Sequence, residues 1–294
     1  MREMGLVRVA YIACTAIVLG SCGAATTRPA TSAPPPAATR HTHENLNAVL
    51  WMQTAVEYRA SALQAYHMAR LALDAALADK RETAALEQTS EPSSLPPAIV
   101  LDLDETVLDN SAFQARQVAD DAPYSETAWN AWCREEKADA IPGAIEFLTY
   151  AEQRGVTPIY ITNRDATVED ATRHVLARLG APIDPRTDVV LARHEQGWES
   201  SDKGSRRAFV AKSYRILLLV GDNFEDFVSV PQALKSMAGR DEMYDRYAGY
   251  FGTRWIVLPN PTYGSWEQAI TAGAPASEAS AVLARKYAAL KLAR

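Results

Sequence analysis

The sequence predicts an α/β protein, a parallel sheet flanked by helices with a smaller helical subdomain, and three observations carry that expectation. Five short apolar runs, at 99–101, 158–161, 189–191, 216–220 and 255–258, are separated by segments of helical character. None of these runs alternates apolar with polar residues, which marks strands buried on both faces, and strands joined through helices pair in parallel. The chain has 294 residues, 48% hydrophobic and 22% charged, which suits one globular core with an appendage.

Taken in order, residues 1–21 read as an export signal. Arg2 and Arg8 precede an apolar run at 9–19, too short to span a bilayer as a permanent helix. The run closes on Leu19-Gly20-Ser21-Cys22, which resembles the bacterial lipobox, so Cys22 is the expected site of lipidation and the first residue of the mature chain. Gly23 stands where an Asp would retain many lipoproteins at the inner membrane, and by that resemblance the outer membrane is expected, facing either the periplasm or the cell surface. Residues 22–43 are small, polar and Pro-rich, without the apolar periodicity that would offset the entropy of ordering them, and read as a tether. Contact with the membrane is then through the lipid alone. With Cys14 removed and Cys22 acylated, only Cys133 remains, so no intrachain disulfide can form.

Residues 44–97 form a helical arm. Between 41 and 91 there is no Gly or Pro, and Val49, Met52, Val56, Ala60, Leu63, Tyr66, Ala69, Leu73 and Leu77 recur at helical steps. The length predicts a pair of helices ending before Pro92. His41, His43 and His67 lack the further ligands that a zinc site needs. Residues 98–294 carry the five strands, and two stretches outside the strand-and-helix rhythm, about 111–140 and 232–254, read as insertions that cover or flank a site.

The first strand runs directly into Asp102-Leu103-Asp104. Carboxylates two apart on an extended backbone project to the same side. Two anions beside a buried apolar run repel unless a cation or a shared proton relieves them, and magnesium is the natural candidate. The second strand ends at Thr162, followed by Asn163 and Arg164; the fourth ends in Gly221-Asp222, with Asp226 four residues on; Lys203 opens a helical segment between them. Apart from Lys203, these groups fall at strand C-termini, the edge at which open parallel sheets bind ligands. Taken alone, Lys203 reads equally as an exposed lysine at a helix start.

The ordered set Asp102-x-Asp104-x-Thr106, Thr162, Lys203 and Asp222-x-x-x-Asp226 resembles the four motifs of the haloacid-dehalogenase (HAD) superfamily. More narrowly, residues 103–111, Thr162-Asn163-Arg164, Gly221-Asp222-Asn223 and residues 258–266 resemble the bacterial class C acid phosphatases, lipoproteins with 5′-nucleotidase activity, over about residues 44–290. The resemblance implies a HAD-like Rossmannoid sheet and a phosphomonoester hydrolase whose substrates are small-molecule phosphomonoesters. It implies that Asp102 is the nucleophile and Asp104 the general acid and base. Mg2+ would be held by Asp102, the Asp104 carbonyl and Asp222, with Asp226 orienting that shell. Thr162 and Lys203 would contact the phosphoryl group, and Asn163 and Arg164 the substrate, although Arg164 reads equally as a partner of Asp165 or Asp170. Aromatics from the first insertion and from the segment after the last strand sandwich the substrate ring in that family, at positions matching Trp129 and Tyr263; Trp132 and Trp266 are expected to be packing residues. A homodimer is left open.

Other functions fit less well. The formal net charge of −6 argues against polynucleotide binding. Ser200-x-x-Lys203 matches the short pattern of penicillin-interacting serine enzymes, but neither Lys-Thr-Gly nor Ser-Asp-Asn accompanies it. A non-catalytic binding lipoprotein on the same fold would not need a competent residue at each motif position.

Overall fold

The computed structural model describes residues 43–294 apart from 90, 185, 276, 277 and 294. The export signal, Cys22 and the tether up to residue 42 lie outside the described residues. From the N-terminus the chain forms α1 (Leu46–Thr54), α2 (Val56–Ala78), β1 (Pro97–Leu101), β2 (Leu108–Asp109), α3 (Ser111–Asp120), α4 (Glu126–Glu135), β3 (Asp139–Ala140), α5 (Ala144–Gln153) and β4 (Thr157–Asp165). There follow α6 (Glu169–Leu179), β5 (Val190–Arg193), α7 (Gly204–Val210), β6 (Arg215–Gly221), α8 (Met237–Tyr247), β7 (Trp255–Val257), α9 (Ser265–Thr271) and α10 (Ala279–Ala288).

Five strands pair in the order β5-β4-β1-β6-β7, every pair parallel. This is the predicted α/β architecture, and the buried runs explain it. Ile99, Leu101, Tyr160, Ile216 and Leu218 are fully buried because helices cover both faces of the sheet. The order matters for function. From β1 the chain crosses to β4 on one side and later to β6 on the other, so a crevice opens at the C-terminal end of β1, where the connections part.

The arm is a helix pair, but its buried face differs from the one a single continuous phase predicts. Ala55 is extended (φ −75°, ψ 131°) and separates α1 from α2 although no Gly or Pro marks the break. Crossing an extended residue resets the helical phase. In α2 the buried residues are Tyr58, Ala62, Tyr66, Ala69, Ala72, Leu73 and Ala76, while Val56 and Leu63, expected inside, are exposed. The break lets the two helices serve different partners, α1 packing on α3 and α2 on α5 and the sheet. The arm also stops being helical at Ala78 rather than shortly before Pro92. Residues 79–89 instead dock along the sheet, Ala84 N donating to Ile216 O at 2.8 Å and Trp255 Nε1 to Ala84 O at 2.9 Å. The same segment supplies Glu87, which pairs at 2.7 Å with the fully buried guanidinium of Arg207.

The first insertion is α3 and α4 followed by β3, which pairs antiparallel with β2. The second contains α8. Side chains of the arm, of the first insertion and of the sheet join in one continuous apolar core.

Candidate active site

β1 delivers Asp102 to the C-terminal edge, its backbone N donating to Val220 O of β6 at 2.9 Å. The next turn is wound tightly, Leu103 O accepting from the backbone N of Thr106, Val107 and Leu108. Glu105 sits within it in the left-handed region (φ 58°), an uncommon conformation for a residue with a Cβ. Its side chain is fully buried, Oε1 accepting from Asn110 N at 3.0 Å and Oε2 from the Tyr263 hydroxyl. Burial, reinforced by the charge of Asp104, pushes the Glu105 carboxyl up to about 8. The arm fastens the turn from below through Tyr66, whose hydroxyl donates to Thr106 O at 2.6 Å.

Lys203 precedes α7 and is buried rather than exposed at the helix start. Its Nζ donates to Asp102 Oδ1 and, at 2.6 Å, to Asp226 Oδ1. Asp226 Oδ2 accepts from Asn223 N at 2.9 Å. Gly221, the last residue of β6, is what admits Asp226, since a Cβ there would meet Asp226 Cβ at 2.5 Å. Asp222 Oδ2 accepts from Asn260 Nδ2 at 2.8 Å. Oxygens of Asp102, Asp222 and Asp226 lie within 4.8 Å of one another, close enough to hold a metal ion.

The charge balance tests that fit. Three carboxylates against one ammonium leave two negative charges, which a divalent cation balances, and hard oxygen donors suit magnesium. Without it, burial raises the Asp102 carboxyl to about 7 against the opposing effect of Lys203, and raises Asp222 well above the usual range, with Asp102 and Asp226 adding to the shift. Burial also works against the Lys203 ammonium, but Asp102 and Asp226 outweigh it and its pKa ends raised.

A pH dependence follows. A carboxyl raised in the folded state keeps its proton where the unfolded chain has released it, between about pH 4 and 7, so the cation-free protein loses stability as pH rises through that window. Lys203 is charged in both states there and adds no slope. Thermal unfolding with chelator and with Mg2+ checks this. The gain on adding Mg2+ should be several degrees larger at about pH 7.5 than at about pH 5; an equal gain at both would place the ion elsewhere.

Asp104 stands apart from this cluster. Its Oδ1 accepts from Arg164 Nη2 at 2.8 Å, Arg164 Nε at 3.0 Å and Asn110 Nδ2 at 3.0 Å. The guanidinium of Arg164 therefore goes to Asp104 rather than to Asp165 or Asp170. Arg164 is 2% exposed.

A cavity of about 550 Å³ opens over these groups, with Asp102, Asp104, Asn163, Lys203, Asp222, Trp129 and Tyr263 in its wall. Thr162 and Arg164 lie behind that wall. Thr162 Oγ1 accepts from Arg164 N at 3.1 Å, and Asn163 Oδ1 from Arg206 Nη2 at 2.6 Å. Trp129, on α4, lies edge-to-face on Phe113 with ring centroids 5.1 Å apart. Trp132 is buried and donates through Nε1 to Asn110 Oδ1 at 2.9 Å. Trp266, expected as a packing residue, is instead 40% exposed, with Nε1 donating to Tyr263 O at 3.2 Å. Ser200 Oγ accepts from Asp202 N at 3.0 Å while Lys203 is committed to the two aspartates, so the two form no acylating pair.

Residues 12–266 match the family model of the HAD superfamily, subfamily IIIB (acid phosphatase). The fold matches the structure of the class C acid phosphatase from Bacillus anthracis with a TM-score of 0.73 and 36% sequence identity, covering 85% of this chain and 98% of that one. The chain belongs to the class C acid phosphatases. The crystal structure of the Bacillus anthracis enzyme with tungstate bound matches to the same extent. This phosphatase is thus a phosphomonoester hydrolase of HAD fold.

Several residues that build the phosphatase site went unassigned in the sequence. Glu105 and Asn110 lie inside the first motif, and Asn260 inside the segment after β7, where only their proximity to named residues marks them. Arg206 and Arg207 follow Lys203 by three and four residues. Arg207 Nη1 donates to Asp226 O at 2.9 Å, so its ion pair with Glu87 ties the non-helical end of the arm to the loop that carries Asp222 and Asp226. A buried arginine with an acidic partner 120 residues away leaves no local trace.

Proposed function

We propose that this phosphatase is a magnesium-dependent hydrolase of nucleoside 5′-monophosphates and other aromatic phosphomonoesters, acting through an aspartyl-phosphate on Asp102. The observation that carries the reading is that Trp129 and Tyr263 share one cavity wall with Asp102 and Asp104. A flat leaving group stacked on those rings presents its phosphate to the carboxylates, and base–aromatic stacking is worth about 1–3 kcal/mol and tolerates different bases.

Asp102 attacks phosphorus as a carboxylate while the ester P–O bond breaks, and Asp104 gives its proton to the departing alcohol. Water then attacks the phosphorus of the acyl phosphate, the bond from Asp102 to phosphorus breaks to return the carboxylate and release inorganic phosphate, and Asp104 takes up a proton from the attacking water. Lys203 is placed against the charge spread over the transferred group, and Thr162 supports that wall from behind. Asp102, Asp222 and the Asp104 carbonyl would hold magnesium, with Asp226 behind them, and the ion when bound would neutralise charge on the transferred group.

Steady-state kinetics with Mg2+ test the substrate assignment. Trp129→Ala should raise KM for a nucleoside 5′-monophosphate about tenfold more than for a small alkyl phosphate, from the loss of one stacking contact. Equal changes on the two substrates in a folded variant would remove the aromatic clamp.

The proposed location is the outer membrane, by a lipid on Cys22. Among the described residues no helix is long and apolar enough to cross a membrane. Cys22→Ser should give an unlipidated protein that retains its leader, read by mass spectrometry of the membrane fraction; an unchanged lipidated species would refute the anchor.

A further inference from the structure

The bonding around Asp104 is asymmetric. Oδ1 receives three donors within 3.0 Å, two from Arg164 and one from Asn110, while among the described residues the one hydrogen bond to Oδ2 is a longer one at 3.3 Å from Arg164 Nε. An oxygen that accepts three N–H groups has no lone pair free for a proton. A proton on this carboxyl therefore resides on Oδ2, and the orientation of the group is fixed by whatever fixes Arg164.

Arg164 is itself held on several sides. Nη1 donates to Thr172 Oγ1 at 3.3 Å, and Thr172 is anchored in turn through Oγ1 to Val168 O at 2.9 Å. The guanidinium carbon lies 5.5 Å from the ring centroid of Trp129, within cation–π range. Asn110, the third donor to Oδ1 through its Nδ2, is held through its Oδ1 by Trp132 Nε1. A lysine could replace the charge at this position but not the two-pronged geometry.

We propose that Arg164 is a positioning residue for proton transfer: it occupies Oδ1 of Asp104 so that Oδ2 is the oxygen that delivers the proton to the leaving group. The inference rests on the reading of Asp104 as general acid and adds the residue that orients it. It predicts a defect that depends on how much the leaving group needs a proton. A nitrophenolate departs unaided, whereas an alkoxide does not.

The experiment compares kcat for p-nitrophenyl phosphate and for glycerol phosphate, with saturating Mg2+, in the wild type, Arg164→Lys and Asp104→Asn. Arg164→Lys should lose at least tenfold more activity on glycerol phosphate than on p-nitrophenyl phosphate, in the direction shown by Asp104→Asn. Equal losses on both substrates in Arg164→Lys, with Asp104→Asn still sensitive to the leaving group, would overturn the inference and leave Arg164 a packing residue. Equal losses in Asp104→Asn would overturn the acid assignment and the inference with it. Should Arg164→Lys fail to fold, Thr172→Val decides. It removes the acceptor of Nη1, together with the hydroxyl's bond to Val168 O, leaves the Arg164–Asp104 contacts in place and should show the same bias, about threefold; no bias would overturn the inference.

Discussion

Asp102→Asn should abolish turnover, lowering kcat by about three orders of magnitude or more on every phosphomonoester, because a neutral amide of the same shape cannot attack phosphorus. The fold should survive. The amide still reaches Lys203, and it removes one of three carboxylates that crowd a single ammonium. The thermal midpoint of the cation-free variant should accordingly equal or exceed that of the wild type at neutral pH, where the native carboxyl is strained by burial. Activity within about tenfold of wild type in a folded variant would take Asp102 out of the nucleophile's role.

Gly221→Ala should be nearly as damaging although it adds one methyl group and touches no substrate. The new Cβ would fall 2.5 Å from Asp226 Cβ and 2.6 Å from its Cγ, so the turn between β6 and Asp226 must move. Asp222 lies in that turn and Asp226 accepts from both Lys203 and Asn223, which means that the movement misplaces two carboxylates and the ammonium together. A displacement of about 1 Å in such a site costs on the order of a hundredfold in rate. Isothermal titration with Mg2+ should show weakened binding in parallel with the loss of kcat. Wild-type affinity together with wild-type kcat would show that the turn tolerates the methyl group and that Asp226 is not held as tightly as its hydrogen bonds indicate.

The strands and the motif residues at their ends were legible because each depends on local pattern. Ile99-Val100-Leu101 and the run at 216–220 read as buried strands from composition alone, and the residues that follow them, Asp102 and Asp222, meet at the sheet edge because parallel topology brings strand ends together. What could not be read depends on contacts distant in sequence. The extended conformation of Ala55 has no Gly or Pro to announce it and is set by the separate packing of α1 and α2, so the phase of the apolar stripe in α2 was misplaced. Arg164 reaches Asp104 across 60 residues, and Tyr263 reaches the buried Glu105 across 158. In sequence both acids had nearer basic or polar neighbours, and only the fold shows which side chain approaches from above the strand ends. Trp266 differs from its expected packing role for a related reason: an aromatic in a motif-rich segment reads as core, but its indole lies over Gly264 and bonds Tyr263 O, which leaves its other side at the surface.

The most direct test of the account is to trap the intermediate. Wild-type protein with Mg2+ is mixed with a phosphomonoester labelled on phosphorus, quenched in acid within a single turnover and treated with borohydride, which reduces an acyl phosphate to the alcohol. Peptide mapping should then find homoserine at position 102, in an amount that follows the transient labelled protein and is absent from Asp102→Asn. Turnover at the normal rate with no acid-stable label and no reduction at Asp102, or with the label on another residue, would contradict covalent catalysis by this carboxylate.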